Sequence, residues 1–231
     1  MYSLYIANKN YSSWSLRPWI LMKVLGIPFE EKFVPFLEGS SYEAFRKFSP
    51  TGLVPCLVDG GTTVWDSLAI TEYLAEDHPT VWPSDKTERA WARCAAAEMH
   101  AGFSALRSVC TMNVGVRVTL NEISPALQKD VDRIDELWRE GLERFGGPFL
   151  AGSAFTAVDA FFAPVAFRHL TYKLPLSAQA DAYAHRLLDL PAMKAWYEAG
   201  IAETLRETEH EEEMLLVGTV TEDLRAQPAS E

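Results

Sequence analysis

The sequence predicts a fold of the α/β plus all-α class in two parts, and three observations carry that prediction. Short strand patterns alternate with helical patterns through the first eighty of the 231 residues. The rest of the chain is almost wholly helical in its periodicity. A stretch rich in proline and charge at 79–86 lies between them and is typical of a linker. The predicted domains are therefore 1–80 and 87–231.

The elements of the first domain are predicted in the order β-α-β-α-β-β-α. The strand candidates are 3–7, 31–36, 56–58 and 63–65, and a Gly60-Gly61 turn joins the last two as a hairpin. The helix candidates are 16–25 with Ser15 as its cap, 42–48, and 68–74 with Ser67 as its cap.

The second domain begins with an alanine-rich helical pattern. The predicted features are one long helix from Thr87 to about Val116, a helix 125–145 capped by Ser124 and ended by Gly146-Gly147, a Thr156–Asp159 capping box, a helix 191–205, and a frayed last dozen residues. The acidic stretch 203–213 is interpreted as a solvated helix end.

Composition excludes several classes of function. The net charge of −11 argues against nucleic acid, because a phosphate backbone requires a basic surface. No apolar run approaches the roughly 18 residues of a membrane span. Met1 to Ala7 has no basic region of the signal-peptide kind. We therefore expect a cytoplasmic protein that binds neither nucleic acid nor membrane.

The cysteines and histidines indicate no metal site. Cys56, Cys94 and Cys110 are odd in number and form no Cys-x-x-Cys pair, so three reduced thiols are expected. The histidines are scattered, without a ligand spacing to Cys or to one another. Phosphate-binding glycine loops, the G-x-S-x-G elbow and H-E-x-x-H are absent from the sequence.

Three segments carry polar or proline signals at element boundaries. They are 10–17 ahead of the first helix, 53–57 entering the third strand, and 65–67 ahead of the third helix. Taken singly, each has an ordinary structural explanation: a polar loop with a cap, an X-Pro bond, and an N-cap.

In this order and spacing, the three segments together resemble the glutathione transferase family. The V-P-x-L…[DE]-S pairing, with about ten residues between its halves, is the specific part. The resemblance covers essentially the whole chain. It implies a thioredoxin-like first domain, an all-helical second domain that forms the electrophile site, glutathione as co-substrate, and a homodimer.

The chemistry of glutathione, an anionic tripeptide with an amine and a thiol, fits the same residues. Ser67, at a helix N-terminus, is expected to bind the γ-glutamyl carboxylate, with Asp66 beside it for the ammonium. Val54 precedes a proline and can pair its backbone with the cysteinyl residue. The resemblance implies a cis Val54-Pro55 bond.

The glycyl carboxylate has two candidate partners, Lys47 and Lys9. Leu53 stands where many relatives carry a polar glutathione contact, which is a departure from the family pattern. Arg17 could either face the ligand or be tied to carboxylates of the helical domain.

The expected thiolate donor is Ser12, with Ser13 as the alternative and Tyr11 as a weaker candidate. A hydroxyl aimed at the sulfur, at the N-terminus of a helix, favours the ionised thiol. Residues 12–17 resemble the zeta-class motif S-S-C-S-W-R, whose first serine has this role. Trp14 replaces the cysteine of that motif.

The predicted function is transfer of glutathione to a small hydrophobic electrophile. Met99, Phe103 and Cys110 recur at helical spacing and are the candidates for the pocket wall, although such a stripe is also typical of core. The alternatives are an isomerase of the maleylacetoacetate type and a non-catalytic binding protein with the same fold.

Overall fold

The computed structural model describes residues 1–227. Its first part runs β1 (Tyr2–Ile6), α1 (Ser13–Val24), β2 (Phe29–Phe33), α2 (Tyr42–Phe45), β3 (Cys56–Asp59), β4 (Thr62–Trp65) and α3 (Ser67–Asp77). A 3₁₀ turn at Pro79–Val81 follows. The second part runs α4 (Lys86–Ala101), α5 (Ser104–Val109), β5 (Val116–Leu120), α6 (Pro125–Phe145), α7 (Ala157–Tyr172), α8 (Ala178–Leu188), α9 (Pro191–Ala202), α10 (Thr208–Val217) and β6 (Gly218–Asp223).

The first part is a four-stranded sheet in the order β2-β1-β3-β4, with β1 and β2 parallel and the other pairs antiparallel. This arrangement confirms the predicted thioredoxin-like class. Leu4 and Ile6 alternate onto the buried face of β1. Tyr5 points the other way and stacks on Phe48, with ring centroids 4.2 Å apart. The observed β2 begins two residues earlier than predicted.

The core is continuous between the two parts. Ile20 of α1 and Phe161 of α7 are completely buried and belong to one cluster of apolar side chains. Helix α7 contains the most apolar segment of the chain and packs against both α1 and α4. The first part is therefore held in a fixed position against the helices, which is what allows a site between them.

The predicted long helix from Thr87 to Val116 is wrong. Helix α4 ends at Ala101, because Gly102 leaves the helical conformation and Phe103 adopts a left-handed backbone with φ 57°. The chain restarts as the short helix α5 and then forms β5, which pairs with β6. The sequence therefore contained a second, two-stranded sheet that its helical periodicity did not reveal.

The predicted fraying of the last dozen residues is also wrong where the structure describes them. Strand β6 pairs with β5, and Arg225 is buried between two carboxylates, those of Glu211 and Asp223. Positions 228–231 lie outside the described residues. In the range 1–227 the structure contains no helix with the length and apolar character that crossing a membrane requires.

The predicted capping box is present and is buried. Asp159 has no exposed surface and accepts hydrogen bonds from the Thr156 amide at 2.9 Å, the Leu150 amide at 3.0 Å and the Tyr183 hydroxyl at 2.8 Å. Burial raises the pKa of Asp159 to about 6, even though the three donors favour its charged form. One carboxylate thus joins α7, α8 and the loop before them.

Replacing this carboxylate should destabilise the protein strongly. In Asp159→Ala three buried donors lose their acceptor, at about 1–3 kcal/mol each, so the free energy of unfolding should fall by at least about 3 kcal/mol. Denaturant unfolding followed by circular dichroism measures the loss. Asp85→Ala is the matched control, because Asp85 also caps a helix through two amides but is exposed, so water replaces it. Equal losses in the two variants would contradict the role assigned to burial.

Candidate functional site

A cavity of about 570 Å³ lies between the first part and the helices. Its walls are formed by the start of α1, the segment before β3, α5, α7 and α10. From the first part the lining residues are Tyr11, Ser12, Ser13, Trp14, Phe36, Phe45, Leu53 and Val54. From the helical part they are Ala101, Gly102, Ser104, Arg107, Ser108, Thr111, Met112, Arg168, His210 and Glu213.

Both predicted serines lie at this cavity, at the N-terminus of α1. Ser12, rather than Ser15, is the N-cap, and its hydroxyl donates to the Ser15 hydroxyl at 2.7 Å. Ser15 in turn accepts a hydrogen bond from the Ala7 amide at 3.3 Å. The hydroxyl of Ser13 makes no hydrogen bond within residues 1–227. The two hydroxyls therefore differ in their surroundings: Ser12 has a second serine behind it, and Ser13 has none.

The segment before β3 places Val54 on the opposite wall. The Val54-Pro55 peptide bond is cis, as predicted. Val54 lies two residues before the paired strand β3, and its N–H and C=O make no hydrogen bond to any other described residue. A backbone donor and acceptor that face a cavity without partners can pair with an extended ligand in the manner of an added strand.

Asp66 and Ser67 form the start of α3. Asp66, and not Ser67, is the N-cap, and it accepts from the amides of Leu68 and Ala69. The Ser67 hydroxyl is buried and has no partner within the described residues. Neither residue lines the 570 Å³ cavity, although His100 lies 3.4 Å from Asp66 and packs edge-on against Trp14 of the cavity wall.

The two lysine candidates do not reach the cavity. Lys47 is exposed and is not among the lining residues. Lys9 forms an ion pair with Glu31 at 2.6 Å, and its ammonium lies over the rings of Trp19 and Trp196. The ammonium of Lys9 is thus occupied inside the protein.

The three apolar candidates for the electrophile pocket lie in the core. Met99 and Cys110 are completely buried, Phe103 is almost so, and none of them lines the cavity. The reason is the break at Gly102, which ends the helix that would have carried all three on one face. Ser104, Arg107, Ser108 and Thr111 occupy the wall instead, so the helical side of the cavity is polar.

Sequence reasoning missed the residue that holds the β1–α1 loop, which comprises residues 7–12. The half-buried carboxylate of Glu203, just after α9, accepts from the Lys9 amide at 2.6 Å and the Asn10 amide at 3.3 Å. It also accepts from the Asn8 side chain at 3.3 Å. Burial raises the pKa of Glu203, whereas these donors lower it. Glu203 is about 190 residues away from this loop in the sequence, and no local sequence pattern predicts the contact.

Tyr11, the weaker donor candidate, is engaged elsewhere. Its hydroxyl donates to Glu211 at 2.7 Å. Burial is the main cause that raises the pKa of Tyr11, and this hydrogen bond is the second. Glu211 also pairs with Arg225 and accepts from Asn113. The acidic stretch 203–213 is therefore not simply a solvated helix end, because Glu203 and Glu211 both anchor the loop beside Ser12.

The protein thiols are not poised for chemistry at the cavity. Burial raises the pKa of Cys56 to about 11 and that of Cys110 to about 12, so both stay protonated at neutral pH. In the part of the chain that the structure describes, one cluster could hold a metal ion. It consists of His169, Asp181 and His185, lies on α7 and α8, and has no residue in the cavity wall.

Glu203→Gln should loosen the β1–α1 loop. Glutamine replaces one carboxylate oxygen by an NH₂ group, which cannot accept a hydrogen bond from a backbone amide. At least one charge-assisted hydrogen bond of about 1.5–3 kcal/mol is therefore lost. Amide exchange at Lys9 and Asn10 should accelerate by about 10-fold or more. Nuclear magnetic resonance or mass spectrometry measures the rates. The control is Glu198→Gln, an exposed position on α9. Unchanged exchange in Glu203→Gln would contradict the anchoring role.

Comparison with known proteins places the chain among glutathione transferases. Residues 11–77 match the glutathione S-transferase N-terminal domain. A zeta-class glutathione S-transferase of Euphorbia esula is 30% identical over 157 residues, which is 66% of this chain and 70% of the relative. A protein of Caenorhabditis elegans named probable maleylacetoacetate isomerase is 28% identical over 83% of this chain and 91% of its own length.

The fold also matches that of solved glutathione transferase structures. A glutathione transferase homologue from Burkholderia, crystallised with bound glutathione, superposes with a TM-score of 0.64 over 86% of this chain and 97% of that structure, at 22% identity. The family assignment rests on the sequence relatives, and the solved structure has the same fold. The chain belongs to the glutathione S-transferase family.

Proposed function

We propose that this family member binds glutathione between its two parts and activates the thiol through the hydroxyl of Ser12. The observation that carries the proposal is that one cavity is lined both by Ser12 and Ser13, at the N-terminus of α1, and by Val54, whose backbone is unpaired within residues 1–227. A helix N-terminus favours a nearby anion, here the thiolate. No cysteine of residues 1–227 lines that cavity, which argues against disulfide exchange there.

Ser12 is preferred over Ser13 because it is the outer end of a hydrogen-bonded chain. When the Ser15 hydroxyl donates to Ser12 in place of the reverse, the Ser12 proton is free to point at the sulfur. The Ala7 amide then supports Ser15, and donors in series strengthen one another. Ser13 has no comparable support, although its hydroxyl is already unpaired.

The rest of the tripeptide is proposed to extend from the sulfur toward α3. Val54 would pair with the cysteinyl backbone through the N–H and C=O that β3 leaves free. The γ-glutamyl carboxylate would take the buried hydroxyl and the amide of Ser67, with Asp66 near the ammonium. Lys47 is exposed and away from the cavity, so the glycyl carboxylate keeps no assigned partner.

Serine variants test the activation. Ser12→Ala should lower kcat/KM for glutathione and a neutral aryl halide by about 10²-fold, as loss of one donor to a developing anion does. It should also shift the acid limb of the pH profile upward, because a lost hydrogen bond to the thiolate raises the thiol pKa. Glutathione affinity, measured by titration calorimetry, should change little.

Ser13→Ala and Ser15→Ala are the matched variants. Ser13→Ala should change kcat/KM by less than about fivefold, and Ser15→Ala should fall between the two, because the relay is interrupted but the donor remains. A larger loss in Ser13→Ala would move the donor to Ser13. Failure of the unaltered protein to bind millimolar glutathione would favour a non-catalytic protein with this fold.

A second candidate is a glutathione-dependent isomerase, favoured by the names of relatives in Caenorhabditis elegans and rat. Isomerisation through a reversible adduct uses the same activated sulfur as transfer. Assay of maleylacetoacetate turnover beside aryl halide conjugation distinguishes the two. Turnover of maleylacetoacetate with catalytic amounts of glutathione, which is regenerated in isomerisation and consumed in transfer, would favour the isomerase.

A homodimer is proposed from the exposed edge of the first sheet. Strand β4 is an edge strand, and Trp65 at its end is 45% exposed beside a groove that also involves Asp66 and Leu68. Sedimentation equilibrium measures the mass directly. A monomer at micromolar concentration would contradict the dimer.

A further inference from the structure

Two arginines lie over the indole ring of Trp14 at the cavity, and a third, Arg168, acts on one of them through its charge. The guanidinium of Arg17, from α1, lies 4.1 Å from the ring centroid, and that of Arg107, from α5, lies 4.3 Å from it. Burial lowers the pKa of Arg17, and the charges of Arg107 and of Arg168, from α7, lower it further. Arg17 is only 1% exposed and Arg168 only 4%. Arg107 and Arg168 both line the 570 Å³ cavity.

None of these three guanidiniums has a carboxylate within 4 Å among residues 1–227. Arg107 donates to the His100 carbonyl at 3.0 Å, and Arg168 donates to the Cys110 carbonyl at 2.7 Å. The Nη1 atom of Arg168 is buried without a partner in the same range. Glu213 also lines the cavity but is exposed and makes no ion pair with Arg107 or Arg168.

Arg225 shows how this chain otherwise buries a guanidinium. Its exposure is 7%, similar to that of Arg168, yet it pairs with both Glu211 and Asp223. A buried charge without a counter-charge is costly, and the protein as a whole carries a net charge of −11 that could have supplied one. Asp66 acts on Arg17 through its charge from beyond 4 Å, but Arg107 and Arg168 have no carboxylate of residues 1–227 in contact, unlike Arg225.

Burial also lowers the pKa values of these guanidinium groups. It lowers the pKa of Arg168 to about 10 and lowers that of Arg107, and the mutual repulsion of the two adds to the effect on Arg168. An anion at the cavity would reverse both shifts, because an opposite charge favours the protonated form. Guanidinium and carboxylate are matched in geometry as well as in charge.

We propose that Arg107 and Arg168 bind a carboxylate carried by the electrophile, so that the second substrate is a small carboxylate-bearing electrophile and not a purely hydrophobic one. This inference rests on the proposed function for the reaction at the sulfur. The hydroxyls of Ser104, Ser108 and Thr111 continue the polar wall beside the two guanidiniums. Trp14 fixes Arg107 against its ring and thereby acts as a positioning residue for the site.

A carboxylate could also come from glutathione itself, and the experiment separates the two sources. The substrates are 4-chloro-3,5-dinitrobenzoate and its neutral amide. In both, the glutathione thiolate forms a bond to the ring carbon and displaces chloride into solution. Each kcat/KM is divided by the uncatalysed rate constant, which removes the electronic difference between the two rings. The variants are Arg107→Gln and Arg107→Lys, with Arg144→Gln as control, because Arg144 is an exposed residue of α6 away from the cavity.

The unaltered protein should favour the benzoate over the amide by about 10-fold or more, and Arg107→Gln should abolish most of that preference. Arg107→Lys should retain part of it, and Arg144→Gln all of it. The KM for glutathione, measured with the amide, should move by less than about twofold in Arg107→Gln. A preference near unity in the unaltered protein would overturn the inference. So would a raised KM for glutathione in Arg107→Gln with an unchanged preference, because the cations would then serve the tripeptide.

A binding measurement keeps the inference independent of turnover. Calorimetric titration compares 3,5-dinitrobenzoate with 3,5-dinitrobenzamide, neither of which carries a leaving group. Tighter binding of the benzoate that is lost in Arg107→Gln supports the carboxylate site even if no conjugation is found, and in that case only the proposed function fails. Equal binding of the two ligands overturns the carboxylate site, whatever the conjugation rates are.

Discussion

The contact on which the site depends is the one between the Glu203 carboxylate and the β1–α1 loop. Residues 7–12 lie between a strand and a helix and carry several backbone amides that neither element uses. Glu203 binds two of those amides, the Trp196 indole donates to the Lys9 carbonyl at 2.8 Å, and Asn10 accepts from the Gly115 amide at 3.1 Å. The helical part thus fixes the position of the loop that presents Ser12 and Ser13.

The shape and polarity of the cavity follow from a second constraint, the break between α4 and α5. An uninterrupted helix would have presented Met99, Phe103 and Cys110 on one face. The turn at Gly102 and Phe103 instead buries those side chains and directs α5 across the opening. Arg107 then meets Trp14, which enters from α1 on the other side. The result is a wall of hydroxyls and guanidiniums where a stripe of apolar side chains was expected.

Buried charge is used in two different ways in this chain. Asp159 and Arg225 are fully partnered and tie elements together, so their role is stability. Arg17, Arg107 and Arg168 have aromatic and carbonyl neighbours in place of carboxylates. Arg225, whose exposure is similar to that of Arg168, contacts two carboxylates, whereas Arg168 contacts none among residues 1–227. That contrast is the ground for proposing an anion site at Arg107 and Arg168.

The sequence by itself determined whatever depends on neighbouring residues. The strand and helix order of the first part, the capping box at Asp159 and the serines at the start of α1 all follow from patterns a few residues long, whereas the cis bond before Pro55 was expected only from the family resemblance. Only the tertiary structure decided which side chains meet across long separations. Glu203 reaches the loop at Asn10, and β6 pairs with β5 almost a hundred residues earlier, because helix packing brings them together. A helical period shows which face of a helix is apolar, but it does not show what that face packs against. The sequence therefore could not predict that Arg107 and Arg168 would line the cavity.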